Sequence, residues 1–435
     1  MANCKHNSLL FDVSLNAEEV GYKRPSDLQR FAATQPTGRA PKTLQADQVP
    51  AASTFPAPLI LPVDELSWDP KYPPQSFRAW KQLKERNAVT AQRRKVYLIG
   101  PPDTAEAVSH IDDWTVPEHV SESVTAPAVS DVLDYLSAFY HGLPVTLLQT
   151  PRLRYVKWGD DIEKKVSVKS ASAKRVRDIG LETGEEVIRI RTRKQEVFAA
   201  QLNLNDLLDA AISILPDDAY ALLMLVNHDL YEDEEDDFCC GRAYGGSRVA
   251  VVSTARYHPG LDSKQDVDRY HAWPASHCMH HAEMLCSGEV TKKPEVKKTV
   301  SLPNTESAGE TTMGAALKAH VVTLDPANAQ SPEQLRSLWL ARVCKTASHE
   351  LGHCFGMDHC IYYACVMQGT AGLSEDARQP PYLCPVDTAK LLAATGAGEQ
   401  AWLRALSDYC ERFTQDAMFG AFAAWLRVRM GDTVM

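Results

Sequence analysis

His349-Glu350-Leu351-Gly352-His353-Cys354-Phe355-Gly356-Met357-Asp358-His359, running straight on into Cys360, Cys365 and Met367, is the stretch from which the rest of the chain is read. Residues four apart share one face of a helix, so His349 and His353 can offer imidazole nitrogens to one ion. Glu350 lies one residue along, within reach of a metal-held water without ligating the metal. Gly356 can take the left-handed conformation that ends a helix, and the turn brings His359 back as a third ligand. Three protein ligands with a fourth tetrahedral position open predict a catalytic rather than a structural zinc. HExxH alone is moderate evidence, since it arises by chance in roughly a few per cent of chains of this length and composition. With the glycine and third histidine at fixed offsets, the chance rate falls to on the order of one in ten thousand.

Working outward, Ser331-Pro332 predicts a helix start, with a hydroxyl N-cap and proline at the first helical position. Leu335, Trp339, Val343, Ala347 and Leu351 then recur every four residues as a core-facing stripe, which turns His349 and His353 toward a cleft. Cys344 and Cys354 project near the stripe and read as buried thiols. The chemistry expected is metal-assisted hydrolysis. Zinc lowers the pKa of the water it holds from about 16 to about 7. Glu350 would take the water proton during attack on a peptide carbonyl and pass it to the leaving amine.

Downstream the chain reads Cys360-Ile361-Tyr362-Tyr363-Ala364-Cys365-Val366-Met367, and later Leu383-Cys384-Pro385-Val386-Asp387. Here the sequence resembles the archaemetzincins, metzincin peptidases whose third zinc histidine is followed directly by cysteine. The resemblance extends upstream through Asp229-Leu230-Tyr231, Phe238-Cys239-Cys240-Gly241-Arg242-Ala243 and Val249 to Tyr257. It implies an α+β, metzincin-type zincin: a mixed, mostly parallel sheet, an active-site helix across the cleft and a small zinc-stabilised C-terminal subdomain. It also implies a catalytic zinc on His349, His353 and His359, with Glu350 catalytic and Met367 as the Met-turn floor. In that family four downstream cysteines hold a second, structural zinc. Cys360, Cys365 and Cys384 match, but Asp387 stands in the fourth place. Carboxylate oxygen is an acceptable zinc ligand. Another ligand such as Cys410, a water, or no second metal remain open. The strand Arg248–Val252 resembles the cleft-bordering strand to whose free edge substrate adds, which would give Val249 and Val251 a substrate-binding role; a plain buried strand is the rival.

The organisation expected is a Pro-rich extension over residues 1–90, partly disordered, which can drape over the catalytic domain rather than form its own core, with a flexible tail preferred for 1–50, and one peptidase domain over 91–435. Within that domain lie the active-site helix (332–356), the Cys-rich metal region (360–387) and C-terminal helices (388–428). Helices over 130–140 and 205–215 alternate with strands at 96–99, 145–148 and 220–226, and 187–190 reads as a hairpin arm. The acidic run 232–237 reads as a solvated loop. Residues 289–314 are Lys-, Thr- and Ser-rich and read as a disordered surface loop. Ser276-His277-Cys278-Met279-His280-His281 with Cys286 carries metal-binding residue types at a spacing that matches no standard zinc module.

Over 435 residues the formal charge is −10, which argues against nucleic acid or an anionic membrane as partner. No apolar run reaches membrane-spanning length, and the amino terminus lacks a signal-peptide pattern. Eleven cysteines, an odd number with several at metal-like spacing, favour a reducing cytoplasm or nucleus. The expectation is a monomeric zinc peptidase acting on peptides or proteins, with cleavage at the amino terminus one implied mode. A non-catalytic zinc-containing scaffold or peptide-binding protein is the alternative, although a scaffold has no use for Glu350; a zinc hydrolase of non-peptide amides is a third reading.

Overall fold

The computed structural model describes residues 4, 6, 8–120, 124–159, 177–288, 311–324 and 330–431. Most of the segment expected as a surface loop, 289–310, lies outside the described residues. Its last residues open a helix, Thr312–Thr323, capped by Thr311.

The organising element is the strand Ala219–Val226, every residue of which is buried. Leu222, Met224 and Val226 face one apolar core, while Ala221, Leu223 and Leu225 face another. Burial on both faces is why this strand reads as an unbroken apolar run rather than an alternating one. Around it a five-stranded sheet has the order Gly241–Tyr244, Val249–Ser253, Ala219–Val226, Lys95–Ile99, Val145–Leu147. The pairings are parallel except for the edge strand Gly241–Tyr244, which runs antiparallel to its neighbour. Two smaller sheets, of three and four strands, complete the strand content. The hairpin arm at Val187–Ile190 pairs antiparallel with Ile179–Glu182 in one of them.

One core is closed by the helix Leu204–Ser213, whose Leu204, Leu207, Leu208 and Ala211 are fully buried. The other core lies under the 23-residue helix Pro332–Cys354. Ser331 caps it, with Gln334 reaching back to the Ser331 amide in a capping box. Its expected stripe is buried: Val343, Ala347 and Leu351 have no exposure, and Trp339 donates its indole N–H to the Thr254 carbonyl at 2.7 Å. Cys344 and Cys354 are buried beside the stripe. The helix Val129–Phe139 and the C-terminal helices Pro385–Thr395, Glu399–Cys410 and Ala417–Met430 pack into the same core. Among the described residues no helix is long and apolar enough to cross a membrane.

Residues 8–90 correct the expected tail. Tyr22, Ile60 and Leu66 form a cluster with Ile361, and the Tyr22 hydroxyl donates to the Ile361 carbonyl at 2.6 Å. Phe55 packs edge-on against Tyr382 and Trp425. Trp80 donates to the Phe355 carbonyl at 2.8 Å, and Arg86 lies over its ring. The prolines suppress regular structure, but the apolar residues between them (Phe55, Leu59, Ile60, Leu61) are buried against the main domain. Proline-rich composition speaks to the absence of helix and strand, not to the absence of packing.

Candidate metal and active site

His349 and His353 sit one turn apart on the helix Pro332–Cys354, with their Nε2 atoms 3.0 Å from each other. Two nitrogens bound to one tetrahedral zinc stand about 3.3 Å apart, so this spacing fits an ion between them. His349 Nδ1 donates to the Val366 carbonyl at 2.7 Å, and His353 Nδ1 to the Met357 carbonyl at 2.7 Å. The chain then turns at Gly356, whose φ is +76°, and the Met357 amide donates back to the Gly352 carbonyl at 3.1 Å. The turn returns His359 to within 4.8 Å of the other two ligand atoms. Its Nδ1 donates to Glu65 Oε1 at 2.9 Å. All three imidazoles therefore spend Nδ1 on an oxygen acceptor and converge with Nε2. That pre-orientation is what a zinc–histidine site requires.

Burial, then the neighbouring imidazoles, hold His349 well below the ordinary histidine range; the same causes lower His353 to about 4. Both are thus neutral and able to ligate a cation. Burial pulls His359 down too, but the hydrogen bond and charge of Glu65 carry it above its ordinary value. Burial lifts Glu350 to about 7. A carboxylate poised there can both accept and return a proton near neutral pH. Met367 is fully buried, and a Cβ on Gly352 would overlap its thioether, so Met367 packs directly beneath the helix between the two histidines.

The three histidines and Glu350 open on a cleft of about 960 Å³. One wall is the edge strand Gly241–Tyr244, whose outer side has no strand partner among the described residues. Gly241 is tight against the Glu350 carboxylate: a Cβ there would lie 3.2 Å from Glu350 Cγ. This corrects the expectation for Val249 and Val251. Both are fully buried in the interior strand, hydrogen-bonded on one side to Ala219–Val226 and on the other to Gly241–Tyr244. The signal for the extra strand was present in the sequence: Gly245-Gly246-Ser247 between two short runs is a hairpin turn, with Arg248 left-handed at φ 65°. The acidic run also lines the cleft, through Glu235, Asp236 and Asp237. Arg193 clamps the backbone carbonyls of Asp233 (2.9 Å) and Asp237 (3.2 Å).

Cys360, Cys365, Cys384 and Asp387 form a second group, all buried, with ligand atoms within 4.8 Å of one another. Asp387 Oδ2 lies 3.4 Å from Cys365 Sγ and 3.3 Å from Cys384 Sγ. Its other oxygen takes Lys390 Nζ at 2.8 Å, and the buried ammonium also donates to Gln75 at 2.8 Å. Cys410 does not join this group; it is buried on the helix Glu399–Cys410. Burial opposes ionisation of Cys360, yet hydrogen bonds from Cys365 and Cys384 hold it well below the usual thiol range. Three thiols, a carboxylate and a compensating lysine fit a tetrahedral zinc.

Glu65, Tyr72, Gln75 and Lys390 carried no sequence signal. Gln75 donates to the Gly356 carbonyl at 3.0 Å and to Asp358 Oδ2 at 2.9 Å, so with Lys390 it links the turn after the helix Pro332–Cys354 to the cysteine group. The Tyr72 ring stands 5.7 Å from that of His359. The long-range packing of residues 65–75 brings in Glu65, Tyr72 and Gln75, whereas Lys390 lies one helical turn beyond Asp387.

The family model for peptidase family M54 matches residues 311–392. Archaemetzincin-2 of Macaca fascicularis is 25% identical over 348 residues, covering 80% of this chain and 72% of the relative. Archaemetzincin-2 of Homo sapiens is 31% identical over 196 residues, covering 45% of this chain and 42% of the relative. Among solved structures, the archaemetzincin of Methanopyrus kandleri is 18% identical and covers 71% of this chain and 98% of its own, with a TM-score of 0.32.

Proposed function

We propose, for a chain that belongs to the archaemetzincin family of zinc metallopeptidases, that it hydrolyses peptide bonds with Glu350 as the proton carrier. The observation that carries this reading is the convergence of three neutral-capable imidazoles, each fixed through Nδ1, beside a buried Glu350. His349, His353 and His359 would hold the catalytic zinc. When bound, that ion supplies Lewis acidity toward the scissile carbonyl and toward a water. Glu350 accepts the proton of the attacking water and returns it to the leaving nitrogen. Its position against Gly241 puts it at the groove where a substrate backbone would lie. An extended peptide would pair with the open side of Gly241–Tyr244, using main-chain hydrogen bonds for affinity and cleft side chains for selectivity.

Cys360, Cys365, Cys384 and Asp387 would hold a second, structural zinc. Their donor set is closed, with four protein ligands and a lysine that offsets the excess negative charge. Because these thiols ligate only when reduced, the reading goes with a reducing compartment, cytoplasm or nucleus. The carboxylates of Glu65, Glu235, Asp236, Asp237, Asp358 and Asp376 line the cleft, against only Arg86 and Arg242 among its arginines. Such a lining favours a cationic substrate end, and we assign cleavage from a free amino terminus.

Two measurements test this. Glu350→Gln should retain wild-type zinc content while losing at least about 100-fold in kcat/KM. Peptides with free and acetylated amino termini should differ sharply in turnover. Full activity of Glu350→Gln would overturn the catalytic assignment, and equal turnover of the two peptides the aminopeptidase one.

A further inference from the structure

We propose that Cys4, His6 and His271 form an additional metal site, distinct from the two groups above and flanked by the Cys278 thiol, that binds Zn2+ and fastens the amino-terminal segment to the main domain. The ligand atoms of Cys4, His6 and His271 lie within 4.8 Å of one another. The Cys278 thiol, on a residue 1% exposed, stands 3.0 Å from that of Cys4. The backbone delivers these residues together. The Met279 amide donates to the Ser8 carbonyl at 2.9 Å and the Leu10 amide to the His277 carbonyl at 2.6 Å, so residues 8–10 run antiparallel to 277–279.

Ring geometry separates ligands from bystanders. The three imidazoles of the catalytic group have centroids 4.7, 5.3 and 5.1 Å apart and are mutually inclined, as rings radiating from one point must be. His6 and His271 repeat that relation, at 5.1 Å and 56°. His281 does not: it stacks flat on His271 at 3.7 Å and 5°, a packing that two ligands of one tetrahedral ion cannot adopt. It therefore supports His271 rather than ligating.

His271 also repeats the orientation seen at His359. Its Nδ1 pairs with Asp268 Oδ2 at 2.7 Å, as His359 Nδ1 pairs with Glu65. The opposite nitrogen, Nε2, is buried with only the Cys4 thiol beside it, and Nε2 of His6 is buried without a hydrogen-bond partner. A buried nitrogen left without a partner costs about 1–3 kcal/mol, and one cation accounts for the stranded His6 nitrogen and for the thiol that His271 faces. One thiol with two imidazoles, one of them carboxylate-paired, is a zinc donor set, and the Cys278 thiol stands beside it at Cys4. The segment it fastens leads into residues 65–75, which supply Glu65 to the catalytic group.

Two experiments on the full chain test this. First, zinc per chain is measured for the wild type, the Cys4→Ser/His6→Ala double variant, and Cys286→Ser as a nearby thiol control. The double variant should carry one zinc fewer per chain than both others; equal contents would overturn the proposal. Second, on the wild type alone, cysteine alkylation is mapped by mass spectrometry with and without a chelator, in the absence of reductant. Cys4 should be protected until the metal is removed. Labelling indifferent to the chelator refutes the site, and labelling that needs a reductant identifies a Cys4–Cys278 disulfide in its place. Neither readout depends on peptidase activity, so each can fail while the catalytic reading stands.

Discussion

Removing the Glu65 carboxylate should weaken zinc binding at a site to which Glu65 contributes no ligand. Glu65 Oε1 accepts from His359 Nδ1 at 2.9 Å, and it is the one side-chain orienter among the three histidines proposed to hold zinc; the other two use the Val366 and Met357 carbonyls. A hydrogen bond to a charged acceptor contributes about 1.5–3 kcal/mol when well desolvated. Here the His359 and Glu65 side chains keep 27% and 31% exposure, so water screens part of that. The lower end, about 1.5 kcal/mol, corresponds to roughly a tenfold loss of zinc affinity, the bottom of the range for such outer-sphere partners. Glu65→Ala should therefore raise the apparent zinc Kd about tenfold. Glu65→Gln keeps an acceptor and loses only the charge, so it should cost about threefold. Competition against a chromogenic chelator reads both values directly, and kcat/KM at saturating zinc separates lost metal from lost chemistry. Unchanged affinity in Glu65→Ala would refute the idea that the amino-terminal arm completes the metal site.

Gly369 should be needed for the same contact, because a Cβ there would overlap the Glu65 carboxylate; Gly369→Ala should reproduce the zinc-affinity loss of Glu65→Ala, and the double variant should add little to either, as a chelator titration would show. Arg256 and Asp229 form a bidentate pair at 2.8 and 2.6 Å, with side chains 4% and 0% exposed, so Arg256→Ala strands a buried carboxylate and should cost about 3–5 kcal/mol in urea denaturation. Arg256 also lies over Phe238, at the end of the acidic cleft wall, so a loss below about 1 kcal/mol would contradict the assigned burial. Burial lowers His228 to about 4, against about 6.5 in the unfolded chain, so between these values the unfolded chain binds more protons and stability falls as pH drops. By pH 5 this amounts to about 2 kcal/mol relative to pH 7, and His228→Gln should lose that increment of acid sensitivity; an identical pH slope in variant and wild type would count against a neutral buried His228.

The sequence by itself placed what depends on local periodicity. The helix carrying His349 and His353, its Ser331 cap, its buried stripe and the left-handed Gly356 follow from spacings within a few residues, and the structure has each of them. The buried strand Ala219–Val226 was readable for the same reason, since a strand covered on both faces is apolar throughout. Asp387 stood out as a departure from a cysteine pattern. Whether it or Cys410 approaches the thiols could not be read, because that depends on how two helices pack.

Tertiary structure alone decided the rest. Strand order is set by pairing across the chain, so the strand chosen for the substrate edge proved to be interior, and Gly241–Tyr244, short and half-exposed, took its place. Glu65, Gln75 and Tyr72 reach the metal turn across nearly 300 residues of chain, and Cys4 meets Cys278 across a separation of 274. Proline-rich sequence shows no period from which such docking can be inferred, because its burial comes from isolated apolar side chains finding complementary surface rather than from a repeating face. Local spacing was enough to pick out the three histidines proposed to hold the catalytic ion; distant packing decided what orients them and what borders the cleft.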